Sequence, residues 1–461
     1  MGIVTFFTDT LNSIVWGPPM IVLLLGTGLF LTIVLKGIQF RRFGWAIRFT
    51  LVKGRKKSGE GDISPFQALM ATIAGTVGIG NIAGVATAIH AGGPGALFWM
   101  WVTALVGMAT RYSETLLGVA YRDKLPDGTM IGGTFNFLEK GVGGALGKLL
   151  AVLFAIFASI SAFGIGNMTQ ANSLAEAMKF AFNIPHWVSG VIFAFLTFIV
   201  IVGGIKRIGE FAEALVPFMA VIYFFFALGV WIKFAGQIPG AIALIIKDAF
   251  TGKAVAGGAI GTVILWGVKR GLFSNEAGLG TATLAHAAAT TTHPAKQAHV
   301  GMLGPFIDTI LICSFTGISI VATQAYADHP DLTGAQLTQA AFAKAFGHLG
   351  EIMVAIGIIL FAYSTVLAWS FYGRQNILYL AKWIENDPEK FARLYPKLHL
   401  IYNLLFVVFL FIGATTALKT VWAFADTMNG LMAIPNLIGL LFLHKVIKKY
   451  TEEFVAGPEG Q

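Results

Sequence analysis

The chain has 461 residues, of which 56% are hydrophobic and 12% charged, with a formal net charge of +9. Soluble domains carry about 25% charged residues, and a soluble protein this apolar lacks the polar surface to cover itself. The composition therefore excludes an ordinary soluble enzyme and points to an all-α, polytopic membrane protein. The one cysteine, Cys313, excludes an internal disulfide and a cysteine-built metal site, and within its apolar run it reads as a buried small hydrophobe.

Residues 1–18 lack the basic start and small-residue cleavage site of a secretory signal, so the first apolar run is expected to stay as a helix. A bilayer core takes about 20 apolar residues per helix. Eleven spans follow, near 15–36, 63–91, 95–121, 146–180, 186–204, 209–233, 255–291, 298–325, 351–378, 398–418 and 420–447. Several exceed the minimum and require tilt or a break. The stretches 238–250 and 332–349 read as external loops with short helices of their own, and the polar tail after Tyr450 reads as disordered.

Lys and Arg set the orientation. The first connection holds Lys36, Arg41, Arg42, Arg48, Lys53, Arg55, Lys56 and Lys57, and alternate connections continue the bias with residues such as Arg122, Lys124, Lys148, Lys206, Lys296, Lys382 and Lys445. This predicts a cell-membrane protein with the N-terminus outside and the C-terminus cytoplasmic. The same asymmetry accounts for the net charge without nucleic acid.

Two spans are interrupted. The second contains Ala74-Gly75-Thr76-Val77-Gly78-Ile79-Gly80-Asn81, and the seventh contains Gly271-Leu272-Phe273-Ser274-Asn275-Glu276-Ala277-Gly278-Leu279-Gly280. Glycine costs about 1 kcal/mol against alanine inside a helix, and irregular backbone at membrane depth survives only where it lines a cavity or binds something. The second span runs inside to outside and the seventh runs outside to inside, five spans apart. Each opens a five-helix unit, 61–235 and 236–449, preceded by a leading helix and basic loop (1–60) and followed by a cytoplasmic tail (450–461). That is the pattern of an inverted-repeat transporter, whose substrate sits at the broken helices. A half-helix N-terminus there offers N–H groups to a carboxylate, and a half-helix C-terminus offers carbonyls to a cation.

Other readings are weaker. Thr76-Val77-Gly78-Ile79-Gly80 mimics a potassium filter, which needs four such loops about one axis and leaves an ion channel as a lesser alternative. The glycines at 78, 80 and 84 do not fit a dinucleotide fingerprint. No metalloprotease, serine-hydrolase or P-loop motif is present, so neither an enzyme nor ATP-driven transport is expected.

Gly92-Gly93-Pro94-Gly95-Ala96-Leu97-Phe98-Trp99-Met100-Trp101-Val102-Thr103-Ala104-Leu105-Val106-Gly107 resembles the signature of the alanine or glycine:cation symporter family, as does the run Ser274-Asn275-Glu276-Ala277-Gly278. The resemblance covers nearly the whole chain. It implies the leucine-transporter fold and import of alanine or glycine coupled to sodium, or in some members to protons, with no cofactor and no obligatory protein partner. Val77-Gly78-Ile79-Gly80-Asn81 is similar to the first unwound segment of the leucine transporters. By that resemblance the N–H groups of Ile79 and Gly80 hold the substrate carboxylate, and Thr76 and Asn81 bind an adjacent sodium. Carbonyls of Ala74 and Val77, the Phe361 carbonyl and the Ser364 and Thr365 hydroxyls would bind a second sodium. Phe273 would act as a lid and Ser274 as a ligand, with Gly78, Asn275 and Gly278 drawn into the same site. Glu276 departs from the pattern, placing an ionisable group where the leucine transporters are less polar.

Further polar residues lie at depth. Gln170 and Asn167, in span four, are candidate substrate contacts or helix–helix amides. Trp369 falls one turn after Thr365 and either walls the pocket or packs. Arg111 and Glu114 are spaced to pair. Lys269, Arg270 and Glu276 flank the second break as functional charges or as a mutually neutralising set, and Asp308 is expected to pair with one of these cations. His293 and His299 read as cytoplasmic surface residues. Span six has no lysine in its apolar core, whereas span nine offers Ser364-Thr365, and hard cations want oxygen. Sodium is therefore favoured over the proton.

Overall fold

The computed structural model describes residues 10–124, 130–202, 204–250, 261–385 and 387–460. The start of the predicted seventh span, up to residue 260, lies outside them. The architecture is helical throughout, with one two-residue hairpin pairing Asp123–Lys124 with Met130–Ile131.

The leading helix α1 (Pro18–Val34) is followed by the short apolar α2 (Phe43–Val52). Helix α3 (Pro65–Thr76) begins sharply because Ser64 and Gln67 form a reciprocal cap: the Gln67 N–H donates to Ser64 Oγ (3.1 Å), and the Ser64 N–H donates to Gln67 Oε1 (3.0 Å). It stops at Val77. One short turn, Ile79–Asn81, leads into α4 (Ala83–Gly92), and the two halves are bent by 60°. Helices α5 (Ala96–Ala120), α6 (Gly144–Phe163) and α7 (Thr169–Phe182) follow, the last two joined by the wide turn Gly164–Met168 into one 39-residue rod. Next come α8 (His186–Ile201), α9 (Gly204–Lys233) and the short α10 (Ile238–Asp248).

Helix α11 (Thr262–Asn275) ends at a second interruption, after which α12 (Ala282–Ala287) continues. The chain then passes through α13 (Pro294–Gly301), a wide turn at Phe306–Cys313, α14 (Ser314–Ala322) and α15 (Gly334–Phe346). Helices α16 (His348–Ile384), α17 (Pro388–Thr415), α18 (Leu418–Phe442) and α19 (His444–Ala456) complete it. At 1.5 Å per residue the 37-residue α16 is about 55 Å long, so it projects beyond a core of about 30 Å. The short helices expected at 238–250 and 332–349 are α10 and α15.

Six of the described helices are long and apolar enough to cross a bilayer, or eight if each of two bent pairs counts as one span. The arrangement is inside-out relative to a soluble protein. Val191, Phe195 and Ile199 of α8, Phe218 and Phe225 of α9, and Ile401, Leu404 and Val408 of α17 are exposed, while α3, α4, α5 and α11 are enclosed with their polar residues. The interior is glycine-tight: a Cβ on Gly166 would come within 2.1 Å of Trp369.

The tail corrects the sequence reading. It folds as α19 and a final turn at Pro458–Gly460. Ile447, Thr451 and Phe454, at helical spacing, face inward; Thr451 Oγ1 lies 3.0 Å from the Tyr112 hydroxyl, and Arg42 donates to the Gly460 carbonyl at 2.7 Å. His299, read as a surface residue, is fully buried against Trp45, Tyr112 and Phe454, with Nδ1 2.6 Å from the Ala295 carbonyl.

Candidate functional site

At the first interruption, α3 ends with Val77 extended enough to release its carbonyl from the helix ladder. The hydroxyls of Thr365 (3.3 Å) and Ser364 (3.4 Å), on α16, turn toward that carbonyl, and Ser364 Oγ also lies 2.9 Å from the Phe361 carbonyl. Gly78 is required by this approach, since a Cβ there would sit 2.4 Å from Thr365 Oγ1 and 3.0 Å from Gln170 Oε1. The Ile79 N–H donates to Gln170 Oε1 (3.1 Å), and Gln170 Nε2 donates in turn to the Ile165 carbonyl (2.9 Å). Asn81 closes the turn by accepting the Gly78 N–H at 2.9 Å. Thr76, Ile79, Asn81, Gln170, Ser364 and Thr365 are all buried.

The second interruption is built differently. Glu276, Gly278 and Gly280 all take positive φ (55°, 107° and 78°), which unwinds the chain after Asn275 and turns successive N–H groups inward. Those of Gly278 and Gly280 both donate to Glu114 Oε1, each at 2.9 Å, and Asn436 Nδ2 donates to the same oxygen at 2.8 Å. Arg111, 3.8 Å from Glu114, donates to the Asn275 carbonyl at 2.5 Å. Glu276 accepts from Trp369 Nε1 (2.9 Å) and from the Thr281 hydroxyl (2.6 Å). One carboxylate of the protein itself, Glu114, thus satisfies the N–H groups of Gly278 and Gly280 at this break, and in a dry interior such groups must be satisfied.

The two breaks meet: a Cβ on Gly80 would come within 3.1 Å of Ser274 Cα and 3.2 Å of the Phe273 ring. Asp308 bridges them. Its Oδ1 accepts from Asn81 Nδ2 at 2.7 Å, and its Oδ2 accepts from Ser274 Oγ at 2.8 Å and Thr309 Oγ1 at 2.6 Å.

A junction of two interrupted helices inside an apolar bundle is the architecture of a carrier, and comparison with known proteins decides which. The profile of the sodium:alanine symporter family matches residues 1–459. The chain belongs to the sodium:alanine symporter family. It is 49% identical to the sodium/alanine symporter AgcS of Methanococcus maripaludis over 97% of this chain and 96% of that one. It is 38% identical to the amino-acid carrier protein AlsT of Bacillus subtilis, over 97% and 93% respectively. Its fold is similar to that of MhsT in complex with L-phenylalanine, with a TM-score of 0.58, 15% identity and coverage of 86% of this chain and 99% of that one. The chain is therefore a multi-pass membrane carrier and a sodium-coupled amino-acid symporter, not an enzyme.

Within this symporter, the residues expected at the first break lie together: Val77, Gly78, Ile79, Gln170, Phe361, Ser364 and Thr365 form one cluster, with Ala74 and Thr76 in the turn of α3 just before it. Asn81 and Ser274 meet through Asp308, and Gly80 meets Phe273. Asn275 is turned away from this cluster, its Nδ2 donating to Thr309 and its Oδ1 accepting from Ala277 N–H. Gly278 lies among Glu114, Asn436, Leu24 and Leu437, all apart from the first break. Trp369 packs on Gly166 and reaches the second break through Glu276. Asn167 is a packing amide, donating to the Phe406 carbonyl at 2.7 Å.

The charges also differ from expectation. Lys269 and Arg270 do not pair with Glu276. Both ion-pair with Asp426 of α18, Lys269 at 2.9 Å, and Arg270 also lies 5.1 Å from the centre of the Phe273 ring, which stacks on Trp422. Asp308 pairs with neither cation and is instead held by neutral donors. Asp308 was expected on a cation and Asp426 was not singled out, because their partners Asn81 and Arg270 are 227 and 156 positions away in the chain.

Proposed function

We propose that this symporter moves alanine or glycine with sodium by alternating access, through a site between the two interrupted helices. The observation that carries the reading is the contact of Gly80 with Phe273 and Ser274, which puts the polar backbone of both breaks in one enclosed place. A substrate carboxylate would compete with Gln170 Oε1 for the Ile79 N–H and engage that of Gly80. One sodium fits the oxygens of Ala74, Val77, Phe361, Ser364 and Thr365. A second fits Thr76, Asn81 and Ser274, and Asp308 would give that site its negative charge. Backbone donors hold what all amino acids share, so selection for a small side chain falls to bulky neighbours, Phe273 first and Trp369 behind it. Eleven spans, in two inverted five-helix units at 61–235 and 236–449 with the C-terminus cytoplasmic, complete the proposal.

The test is uptake of labelled alanine into proteoliposomes with sodium and proton gradients varied independently. Sodium-dependent, saturable uptake is expected. With one sodium per neutral substrate, 100 mV supplies about 2.3 kcal/mol and a tenfold sodium gradient about 1.4 kcal/mol. Together these permit accumulation on the order of 500-fold, so collapsing the potential should lower the plateau. Uptake unchanged in sodium-free buffer under a proton gradient would overturn sodium coupling.

A further inference from the structure

A cavity of about 220 Å³ lies away from the transport site, between the end of α1, the short helix Ile38–Arg41 and the C-terminal helix α19. Its floor is apolar, formed by Leu35, Ile38 and Val455, and its rim carries Lys36, Arg41 and Lys448. The volume is about seven times the 30 Å³ share of a liquid water, enough for a phosphoglycerol group and the first carbons of its chains.

Three observations select the occupant. The cavity opens where the protein surface is itself apolar: Ile33 and Phe40, next in the chain to the lining residues Val34 and Arg41, are 68% and 61% exposed, and the span Asn12–Val34 is only 33% buried within the protein. A surface of this kind faces hydrocarbon. Next, the rim is electrically unbalanced. Among the described residues neither Lys36 nor Arg41 has an ion pair, and Glu452, the one acidic group lining the cavity, stands 3.9 Å from Lys448. Finally, Lys36 is placed by the backbone: it takes the left-handed conformation (φ 54°) as α1 ends, its N–H on the Ile33 carbonyl and that of Gly37 on the Thr32 carbonyl.

We propose that this cavity binds one anionic phospholipid, with its phosphate among Lys36, Arg41 and Lys448 and its upper acyl carbons on Leu35, Ile38 and Val455. The lipid joins the leading helix to α19, which otherwise rests on few polar ties, such as Thr451 on Tyr112. Cations near a membrane surface each contribute about fivefold to binding of an anionic lipid, so removal of all three should weaken it roughly 100-fold.

The experiment uses the full chain in detergent micelles doped with dioleoyl phosphatidylglycerol or dioleoyl phosphatidylcholine. It is read by thermal melting and by native mass spectrometry of retained lipid. The glycerol lipid should raise the melting temperature more than the choline lipid and should remain bound at one copy. That preference should vanish in the Lys36→Gln/Arg41→Gln/Lys448→Gln variant and persist in a Lys53→Gln/Lys56→Gln/Lys382→Gln control. Val455→Trp, which fills the floor, should abolish the retained copy while leaving melting without lipid unchanged. Equal effects of the two lipids, an undiminished preference in the rim variant, or the same stabilisation by inorganic phosphate alone would each overturn the proposal.

Discussion

Thr365→Val removes one hydroxyl while keeping the volume that lies against Gly78. In the structure that hydroxyl is one of four oxygens, with Ser364 Oγ and the Val77 and Phe361 carbonyls, gathered at the end of α3; it lies 3.3 Å from the Val77 carbonyl and is buried from solvent. A hydrogen-bond-scale contact with a charged partner is worth about 1.5–3 kcal/mol, so the sodium affinity should fall roughly 10–150-fold. The assay is sodium titration of labelled-alanine binding to the purified protein at saturating alanine, with melting as a second readout. At a sodium concentration 100 times the wild-type Kd, sodium should stabilise the wild type by about 2.7 kcal/mol, and a variant with tenfold weaker binding by only about 1.4 kcal/mol. Thr365→Ser restores the oxygen and should stay close to wild type. If the valine variant binds sodium as tightly as wild type while still folding, the cluster at Val77, Phe361, Ser364 and Thr365 is a packing feature and its assignment to sodium fails.

Phe273→Ala should lose alanine affinity while gaining competition from valine and leucine, since the ring stacked on Trp422 at 4.7 Å borders Gly80; a competition panel that keeps the original size cutoff would place the wall elsewhere. Asp308→Asn keeps the shape but not the charge, and because charge-assisted contacts are about twice as strong as neutral ones sodium binding should weaken by roughly tenfold or more, with uptake at saturating sodium less affected. Asp426→Asn leaves Lys269 and Arg270 buried without their counter-charge, at about 3–5 kcal/mol; melting should fall sharply and recover in part when Lys269→Met is added. Near the C-terminus, the Thr292 hydroxyl and then Lys296 hold the Glu459 carboxyl below the usual carboxylate range. That tie is intact at neutral pH and is lost as pH falls through the lowered value, so protease sensitivity of α19 should rise on acidification and should rise at neutral pH in Glu459→Gln.

Legible in the sequence were the membrane bundle, the two stretches where a regular helix is disfavoured, and the residue types that line the first of them. Those follow from local quantities: runs of apolar residues long enough for a bilayer, and glycines and polar groups placed where a regular helix would be disfavoured. Val77, Ser364 and Thr365 were legible because a resemblance spanning the chain named them, and Gln170 because an amide at mid-span stands out in an apolar helix; the structure brings the four together. Which carboxylate meets which partner was not legible. Glu114 seats itself on the N–H groups of Gly278 and Gly280, Asp426 takes both Lys269 and Arg270, and Asp308 joins Asn81 to Ser274 instead of answering a cation. Each pairing is long-range, and one-dimensional spacing carries no information about which buried groups converge. The tail was misread for a related reason. Its polar residues outnumber its apolar ones, yet Ile447, Thr451 and Phe454 share one helical face, and only the surface offered by Tyr112 and His299 shows that this face has somewhere to dock. Burial of charge in a membrane interior is permitted only when partners arrive from elsewhere in the chain, so that choice belongs to the tertiary structure.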